Sequence, residues 1–312
     1  MMLTELFDDD TIPLLRRLGE RPRGGGEPAD EETRRQVLAA LVDSGRSPAE
    51  VLRAAELMGA ALYQSPFLDT VAAAEIFPAS PGRTTGLALR EKGTDNPAHP
   101  APVLVRDGRV TAVRRFVAFA PDVDDLLVVG GNVAALVAVG QPGVRIRRQD
   151  DVGRGDLYTV EIENAVAQVR DVTADYPAVL ARARMRHAAY LVGAAQAALR
   201  LTAAHLRERR VFGEPLARST ALAYRLAALH AEAEAVRALI GTEPSPKTAA
   251  QAVLLAGAVA RQSAEEAVHL HGARGMTEHS DAQLFYRRAA VDAQWYGTAA
   301  DLRAELLTAL GA

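Results

Sequence analysis

Apolar residues recur with a helical spacing at both ends of the chain and alternate with polar residues in the middle. Before residue 77 this spacing predicts four helices, over 3–18, 32–42, 49–63 and 67–76. From residue 175 it predicts longer helices, the first running to 209 and the second from 219 or 220 to 241. We therefore predict three parts: a helical domain over 1–76, a β-domain over 77–173 and a helical bundle over 174–312.

The middle part contains seven short segments that are rich in β-branched or apolar residues. They lie at 86–91, 102–105, 109–113, 126–129, 136–139, 144–147 and 158–162. Asp107 and Gly108 separate two of them, and an Asp-Gly pair is a strong signal for a tight hairpin. Because no helical segments intervene, the pattern is typical of a small antiparallel barrel or sandwich. No glycine run follows a strand and opens a helix, which argues against a dinucleotide-binding βαβ unit.

One helix of the C-terminal part carries a continuous apolar stripe. Its members, spaced alternately by four and three residues, are Leu222, Leu226, Leu229, Ala233, Val236 and Ile240. Such a stripe predicts a helix that faces a bundle core. Because alanine is abundant, the helices can pack closely, and a four-helix bundle is the simplest arrangement. The fold class is therefore α+β and mostly α.

The stretch 264–298 joins predicted helices through a glycine turn. We expect one helix to end at His271, a second to run from 280 or 281 to 296, and a last short helix to be capped by Thr298. Backbone N–H groups next to Gly272 and Gly275 can approach an anion such as a phosphate. The two glycines are also compatible with a plain tight turn between helices.

Composition narrows the class of protein. The chain has 312 residues, with 36 Lys and Arg against 39 Asp and Glu, and no cysteine. The net charge of −3 offers no basic excess for nucleic acid. The lack of cysteine excludes disulfides, cysteine nucleophiles and thiolate metal sites. The first residues are acidic, and no apolar run reaches the ~18 residues that a membrane span needs. We therefore expect a cytoplasmic protein that binds neither membranes nor nucleic acid.

Two motifs resemble those of the acyl-CoA dehydrogenase family. The sequence HLHGARGMT at 269–277, with Asp281, Leu284 and RRA at 287–289, is similar to that family's C-terminal signature. Upstream, ERRVFGEP at 208–215 is similar to the family's Glu-Arg-x-Gln-Phe-Gly-x-Pro. The order and spacing of the motifs agree, and the resemblance extends over about residues 60–312. It implies an N-terminal helical domain, a middle antiparallel β-barrel and a C-terminal four-helix bundle.

The resemblance also implies a chemistry. Members of the family bind FAD between the β-domain and the bundle and introduce an α,β double bond into an acyl thioester, carried on CoA or a carrier protein. A glutamate removes the α-proton, and neighbouring subunits share the FAD contacts, which implies an oligomer. By position, the cofactor-binding residues of this chain are Arg209, Phe212, His269, Gly272, Gly275 and Thr298.

The chain departs from the family where the catalytic base stands. The usual glutamate position falls on Tyr296, and an alternative position falls near Ala183, so neither supplies a carboxylate. Arg90 replaces a threonine that helps to hold flavin in the family. The candidate catalytic residues are Glu91 and Tyr296. A strand-end glutamate is more often solvated, however, and a tyrosine with a pKa near ~10 is a poor base.

Two functions are compatible with these residues. The first is FAD-dependent α,β-dehydrogenation of an acyl thioester by this chain. The second is a divergent member: either a non-catalytic subunit that supplies FAD contacts to a partner chain of a heteromeric dehydrogenase, or a non-redox biosynthetic enzyme. A predicted N-terminal domain shorter than the family's favours the second group.

Two further expectations concern charged residues in the C-terminal part. The arginines between 182 and 210 are expected on a solvated helix face, apart from Arg209, which its motif directs at a pyrophosphate. A metal site is not expected, because His269 and His271 are two residues apart and point to different faces of a helix.

Overall fold

The computed structural model describes residues 47–63, 65–78, 82–91, 96–149 and 157–311. The predicted helices at 3–18 and 32–42 lie outside the described residues, which include only the later part of the expected N-terminal domain over 1–76. The described chain begins with α1 (Pro48–Ala61) and α2 (Phe67–Ala74), which match the predicted segments 49–63 and 67–76. Ser47 and Glu50 cap α1 by accepting each other's backbone N–H.

Two four-stranded sheets form the middle of the chain, with the orders β1-β4-β5-β8 and β2-β3-β7-β6. The strands are β1 (Thr85–Ala88), β2 (Leu104–Arg106), β3 (Arg109–Ala118), β4 (Asp125–Gly130), β5 (Val133–Ala138), β6 (Val144–Gln149), β7 (Leu157–Val166) and β8 (Gln168–Asp171). Apolar side chains of both sheets share one core. The pairing is antiparallel except between β1 and β4, which are parallel. An alternating pattern cannot reveal strand direction, so this pair was not predicted.

The hairpin between β2 and β3 is confirmed at its turn. Asp107 and Gly108 have φ of +48° and +70°, and Arg106 pairs with Arg109 across them. A two-residue turn whose central residues both have positive φ matches the right-handed twist of the strands.

Five helices form the C-terminal part: α3 (Tyr176–Glu208), α4 (Thr220–Ile240), α5 (Pro246–His271), α6 (Asp281–Asp292) and α7 (Ala299–Ala309). A short hairpin of β9 (Arg210–Val211) and β10 (Glu214–Pro215) separates α3 from α4. The 33-residue α3 packs against both α1 and α5, mainly through alanine. The predicted capping box of Thr298 and Asp301 is present at the start of α7.

The apolar stripe of α4 is only partly buried. Ala233, Val236 and Ile240 belong to the bundle core, whereas Leu222 and Leu226 are half-buried. The prediction that the whole stripe faces a core is therefore correct for its C-terminal half only. Within the described residues, no helix is both long enough and apolar enough to span a membrane.

A third apolar cluster lies where the three parts of the chain meet. It combines side chains of α2, the first sheet and α3 with Tyr296, which follows α6. The contacts are continuous across the segments 1–76, 77–173 and 174–312, so the boundaries between them remain a prediction from sequence. This junction positions one of the two sites described next.

Candidate functional site

An open groove lies where α3 and α5 end. The residues that form it, which we call the arginine–histidine groove, are His205, Glu208, Arg209, His269, His271, Gly272 and Arg274, and the space measures about 530 Å³. Helix α3 ends because Arg209 adopts an extended conformation. Helix α5 ends because Gly272 has φ of +61°, which glycine adopts at little cost.

Two arginines, three histidines and one glutamate line the groove. The rings of His205 and His271 stack with their centroids 4.1 Å apart, and His271 Nδ1 donates to the carbonyl oxygen of Ala267 (2.7 Å). Burial lowers the pKa of His205, the neighbouring His271, Arg209 and Arg274 lower it further, and Glu208 opposes the shift. An anion between these side chains would relieve this repulsion, because it would stabilise their charged forms.

Three of the six predicted cofactor-binding residues meet in this groove. Arg209, His269 and Gly272 line it. Gly275 lies beneath it, and a Cβ at that position would stand 2.6 Å from the carbonyl oxygen of Val268. Gly275 is therefore required for the packing of the turn.

The other two predicted residues lie elsewhere. Phe212 is fully exposed on the β9–β10 hairpin, with φ of +52°. Thr298 is not among the residues that line the groove, and its hydroxyl serves the cap of α7 by donating to the Asp301 carboxylate (2.6 Å). The structure therefore gives Thr298 a structural role, while an exposed Phe212 is free to contact another molecule.

A second site lies where α2, β1, α3 and the turn after α6 meet. Asp69, Phe119, His187, Trp295 and Tyr296 face one another there, and we call this site the Trp295 cleft. The Tyr296 hydroxyl donates to Asp69 Oδ1 (3.3 Å), and the N–H of Leu87 donates to Asp69 Oδ2 (3.1 Å).

Asp69, and not Tyr296, is the residue of this cleft that can gain or lose a proton near neutral pH. Burial raises the pKa of Asp69 to about 7, although its two hydrogen bonds oppose the shift. Burial also raises the pKa of Tyr296 well above its ordinary value. Near neutral pH the phenol is therefore fully protonated, and only the carboxyl group can exchange a proton.

His187 is buried beside them and is neutral. Its Nε2 lies 2.7 Å from the carbonyl oxygen of Asp292, which can only accept, so Nε2 carries the proton. Burial lowers the pKa of His187 to about 4. Its ring contacts those of Tyr190, Trp295 and Tyr296 at centroid distances of 5.1–5.9 Å. The imidazole therefore acts here as a packed ring that supports the cleft.

Glu91, the other candidate catalytic residue, serves a buried cation. Arg114 is fully buried and donates to the Glu91 carboxylate (2.9 Å), to the carbonyl oxygen of Ala101 (2.9 Å) and to that of Val129 (3.1 Å). Glu91 neutralises this guanidinium, and it does not line either cavity of the Trp295 cleft. Glu91 thus forms an ion pair, while its side chain stays 35% exposed to solvent.

The expectation that the arginines of α3 lie on a solvated helix face is wrong for two of them. Arg184 and Arg186 are buried. Arg184 binds both carboxylate oxygens of Glu305 (2.6 and 2.8 Å) and donates from Nε to the carbonyl oxygen of Tyr296 (3.1 Å). Arg186 pairs with Glu75. Arg184 therefore holds the turn that carries Tyr296, next to the Ala183 position where the sequence offered no carboxylate.

Sequence reasoning missed Asp69, His187 and Trp295. Asp69 stands in the first turn of α2, where an acidic residue is common because it favours the helix N-terminus. Nothing in the local pattern shows that its carboxyl group meets Tyr296, which lies 227 residues further along the chain. Among the described residues, no group of three or more His, Asp or Glu side chains is arranged to hold a metal ion.

Comparison with known proteins relates this chain to acyl-CoA dehydrogenases. Residues 177–310 match the model of the acyl-CoA dehydrogenase C-terminal domain. The acyl-CoA dehydrogenase IpdE2 of Mycobacterium tuberculosis is 29% identical over 174 residues, and that of Mycolicibacterium smegmatis is 28% identical over 249 residues. Residues 177–310 thus form an acyl-CoA dehydrogenase C-terminal domain. These alignments cover 54% and 78% of the chain, and 54% and 72% of the two relatives. The chain thus spans about half the length of the first of these relatives.

Solved structures share the fold of this chain, and an acyl-CoA dehydrogenase is among them. Butyryl-CoA dehydrogenase of Megasphaera elsdenii superposes with a TM-score of 0.82 at 18% identity, over 98% of this chain and 99% of that one. The ChsE4-ChsE5 complex of Mycobacterium tuberculosis gives a TM-score of 0.80 at 21% identity, over 98% of both chains. At such identities the superpositions establish the acyl-CoA dehydrogenase architecture alone.

Proposed function

We propose that this chain is a subunit of an FAD-dependent acyl-CoA dehydrogenase that acts on an acyl thioester, and that its arginine–histidine groove binds the diphosphate of FAD. The family is FAD-dependent in general. The observation that carries the proposal is the groove itself, in which Arg209 and Arg274 stand beside three histidines at the ends of α3 and α5. Guanidinium groups bind phosphate oxygens through charge-assisted hydrogen bonds.

This chain offers different amounts of space to the two ends of FAD, the diphosphate with its nucleoside and the flavin ring. The open groove of about 530 Å³ suits a diphosphate and its nucleoside. The cavities on the two sides of Trp295 measure about 20 and 30 Å³, and a cavity of that size holds about one water molecule. The diphosphate therefore fits the residues present, whereas a three-ring flavin does not fit the cleft as its side chains stand.

This difference supports the role of an FAD-sharing subunit. FAD supplies a hydride acceptor when its ring is bound, and the groove of this chain would hold the phosphate end of a cofactor whose ring lies in a neighbouring chain. Phe212 is fully exposed on the β9–β10 hairpin, outside the groove, and is available to contact a neighbouring chain. One solved neighbour is a ChsE4-ChsE5 complex, and another, with a TM-score of 0.86, is the Tcur3481-Tcur3483 steroid ACAD G363A variant. Partnership with a second dehydrogenase-like chain is our proposal for this protein.

A second function, dehydrogenation by this chain itself, is favoured by one observation. Tyr296, at the position of the family's base, hydrogen-bonds the Asp69 carboxyl group (3.3 Å), whose pKa lies at about 7. This places a titratable carboxyl group close to where the glutamate is missing. Dehydrogenation of acyl thioesters by the chain purified alone, with added FAD, would support this second function.

The groove can be tested with ADP, which carries the diphosphate and nucleoside without the flavin ring. We expect calorimetry at low salt to detect ADP binding, and the Arg209→Ala/Arg274→Ala variant to weaken it at least about tenfold, since each charge-assisted contact contributes ~1.5–3 kcal/mol. Arg303→Ala removes an exposed arginine from α7 and should leave the affinity unchanged. Equal affinities in all three proteins, or no binding at millimolar ADP, would refute the proposal.

A further inference from the structure

Trp295 is held from several sides in the space between the sheets and the bundle. Its ring centroid lies 6.5 Å from that of Phe119 and 5.7 Å from that of His187. The guanidinium of Arg288 lies 5.8 Å from the centroid of the Trp295 ring. Arg288 in turn pairs with Asp292, and both are buried. The indole thus packs among β-domain, α3 and α6 side chains.

Arg90 crosses the same space from the sheet side. Its carbonyl oxygen accepts the N–H of Arg115 (2.8 Å), which anchors its backbone to β3. Its Nη1 donates to the carbonyl oxygen of Gln294 (3.1 Å), the residue before Trp295. Its guanidinium also lies 5.0 Å from the centroid of the Phe116 ring. Arg90 therefore links the β-domain to the segment that carries Trp295.

We propose that Trp295 and Arg90 close the junction between sheets and bundle, so that this chain excludes a flavin ring from its own cleft and takes part in cofactor binding only through the arginine–histidine groove. This inference deepens the proposed function and rests on it for the identity of the cofactor. It predicts that a complex of this chain with a second dehydrogenase-like chain holds half as many flavin rings as it has subunits.

Riboflavin and ADP probe the two sites independently. Riboflavin carries the flavin ring without phosphate, and ADP carries the diphosphate without the ring. We expect the unaltered protein to bind ADP but no riboflavin in equilibrium dialysis. Trp295→Ala/Arg90→Thr removes both closing side chains, and we expect it to gain riboflavin binding by at least about tenfold while its ADP affinity is unchanged. Tyr286→Ala/Arg303→Ala shortens an exposed aromatic residue and an exposed arginine and should show no gain.

Each outcome decides the inference. Stoichiometric binding of riboflavin by the unaltered protein would overturn it, and so would a folded Trp295→Ala/Arg90→Thr variant without any gain. Loss of ADP binding alone would refute the proposed function without contradicting the closure of the junction.

If the double variant does not fold, Arg90→Thr alone tests the closure by fluorescence, because Trp295 is the only tryptophan of the chain. Its emission should be poorly quenched by acrylamide in the unaltered protein and at least about twofold better quenched in Arg90→Thr. Equal quenching would contradict the closure.

Discussion

Asp69 shows how a single side chain can couple the Trp295 cleft to pH. Its carboxyl group is protonated up to a pH of about 7 in the folded protein, whereas in the unfolded chain it ionises near ~3.9. Between these values the folded state binds more protons than the unfolded state. The free energy of unfolding therefore falls as the pH rises through this window, because ionisation inside the cleft is opposed by burial.

We expect Asp69→Asn to remove this pH dependence, because the amide keeps the shape of the side chain and cannot ionise. Relative to the unaltered protein, the variant should gain stability between pH 5 and pH 8, with a difference in Tm that grows by at least about 2 °C. Thermal denaturation at the two pH values measures it. Comparing proteins at each pH cancels the contribution of His187, whose folded pKa of about 4 costs stability as the pH falls below ~6.5.

Asp107→Asn is the matched control for this experiment. Asp107 is exposed in the β2–β3 turn, and asparagine tolerates the positive φ of that position. Its stability should follow the unaltered protein at both pH values. If Asp69→Asn and Asp107→Asn behave alike, the Asp69 carboxyl group does not hold its proton near neutral pH.

At the residue scale, the sequence located the groove and missed the cleft. The family resemblance selected Arg209, His269 and Gly272, and the structure brings them together at two helix ends. That they bind a cofactor stays a prediction. Arg184 was expected in solvent, because charged residues are usually exposed, and its partner Glu305 lies 121 residues away. Burial of a charge depends on such distant partners, which periodicity does not report.

At the scale of helices, the contact between α1 and α3 depends on two glycines. A Cβ at Gly193 would stand 1.9 Å from the carbonyl oxygen of Glu56, and a Cβ at Gly59 would stand 1.8 Å from that of Tyr190. These backbones therefore touch with no room for a side chain. The sequence predicted the helices and their abundance of small residues, but it did not show which faces would meet.

Gly193→Ala should destabilise the protein by about 1–3 kcal/mol, the usual cost of overpacking a core. At a solvent-exposed position inside a helix, Gly→Ala stabilises the folded protein by about 1 kcal/mol. The sign of the change in stability is therefore the test. Urea denaturation gives the free energy of unfolding. Gly140→Ala, where a Cβ meets no atom within 4 Å, should be nearly neutral. A Gly193→Ala variant as stable as the unaltered protein would show that α1 does not touch α3 at this point.

The limits of sequence patterns also differ between elements. The turn at Asp107 and Gly108 was predicted correctly because two residues determine it locally. The parallel pairing of β1 and β4 joins segments 40 residues apart in sequence, Thr85 opposite Asp125, and no local pattern specifies it. The apolar stripe of α4 predicted an apolar partner, but within the chain that partner covers only the half that contains Val236 and Ile240.

At the scale of the whole molecule, the uncovered half of α4 agrees with the oligomer that the family resemblance implies. Leu222 and Leu226 are half-buried, and Tyr224 is 73% exposed. Phe212, in the hairpin that precedes α4, is fully exposed. Exposed large apolar side chains favour association with another chain, because contact removes them from water.

We expect the protein to associate through this part of the C-terminal bundle, with a second copy when it is purified alone. Light scattering at micromolar concentration should give a mass above that of one 33.2 kDa chain. Tyr224→Glu/Leu226→Glu should lower that mass, because a contact cannot bury two new carboxylates without partners. Leu307→Glu introduces a carboxylate at an exposed leucine of α7 and should not change it. A monomer in the unaltered protein would contradict self-association, and it would leave association with a different dehydrogenase-like chain as the only way for the groove to share a cofactor.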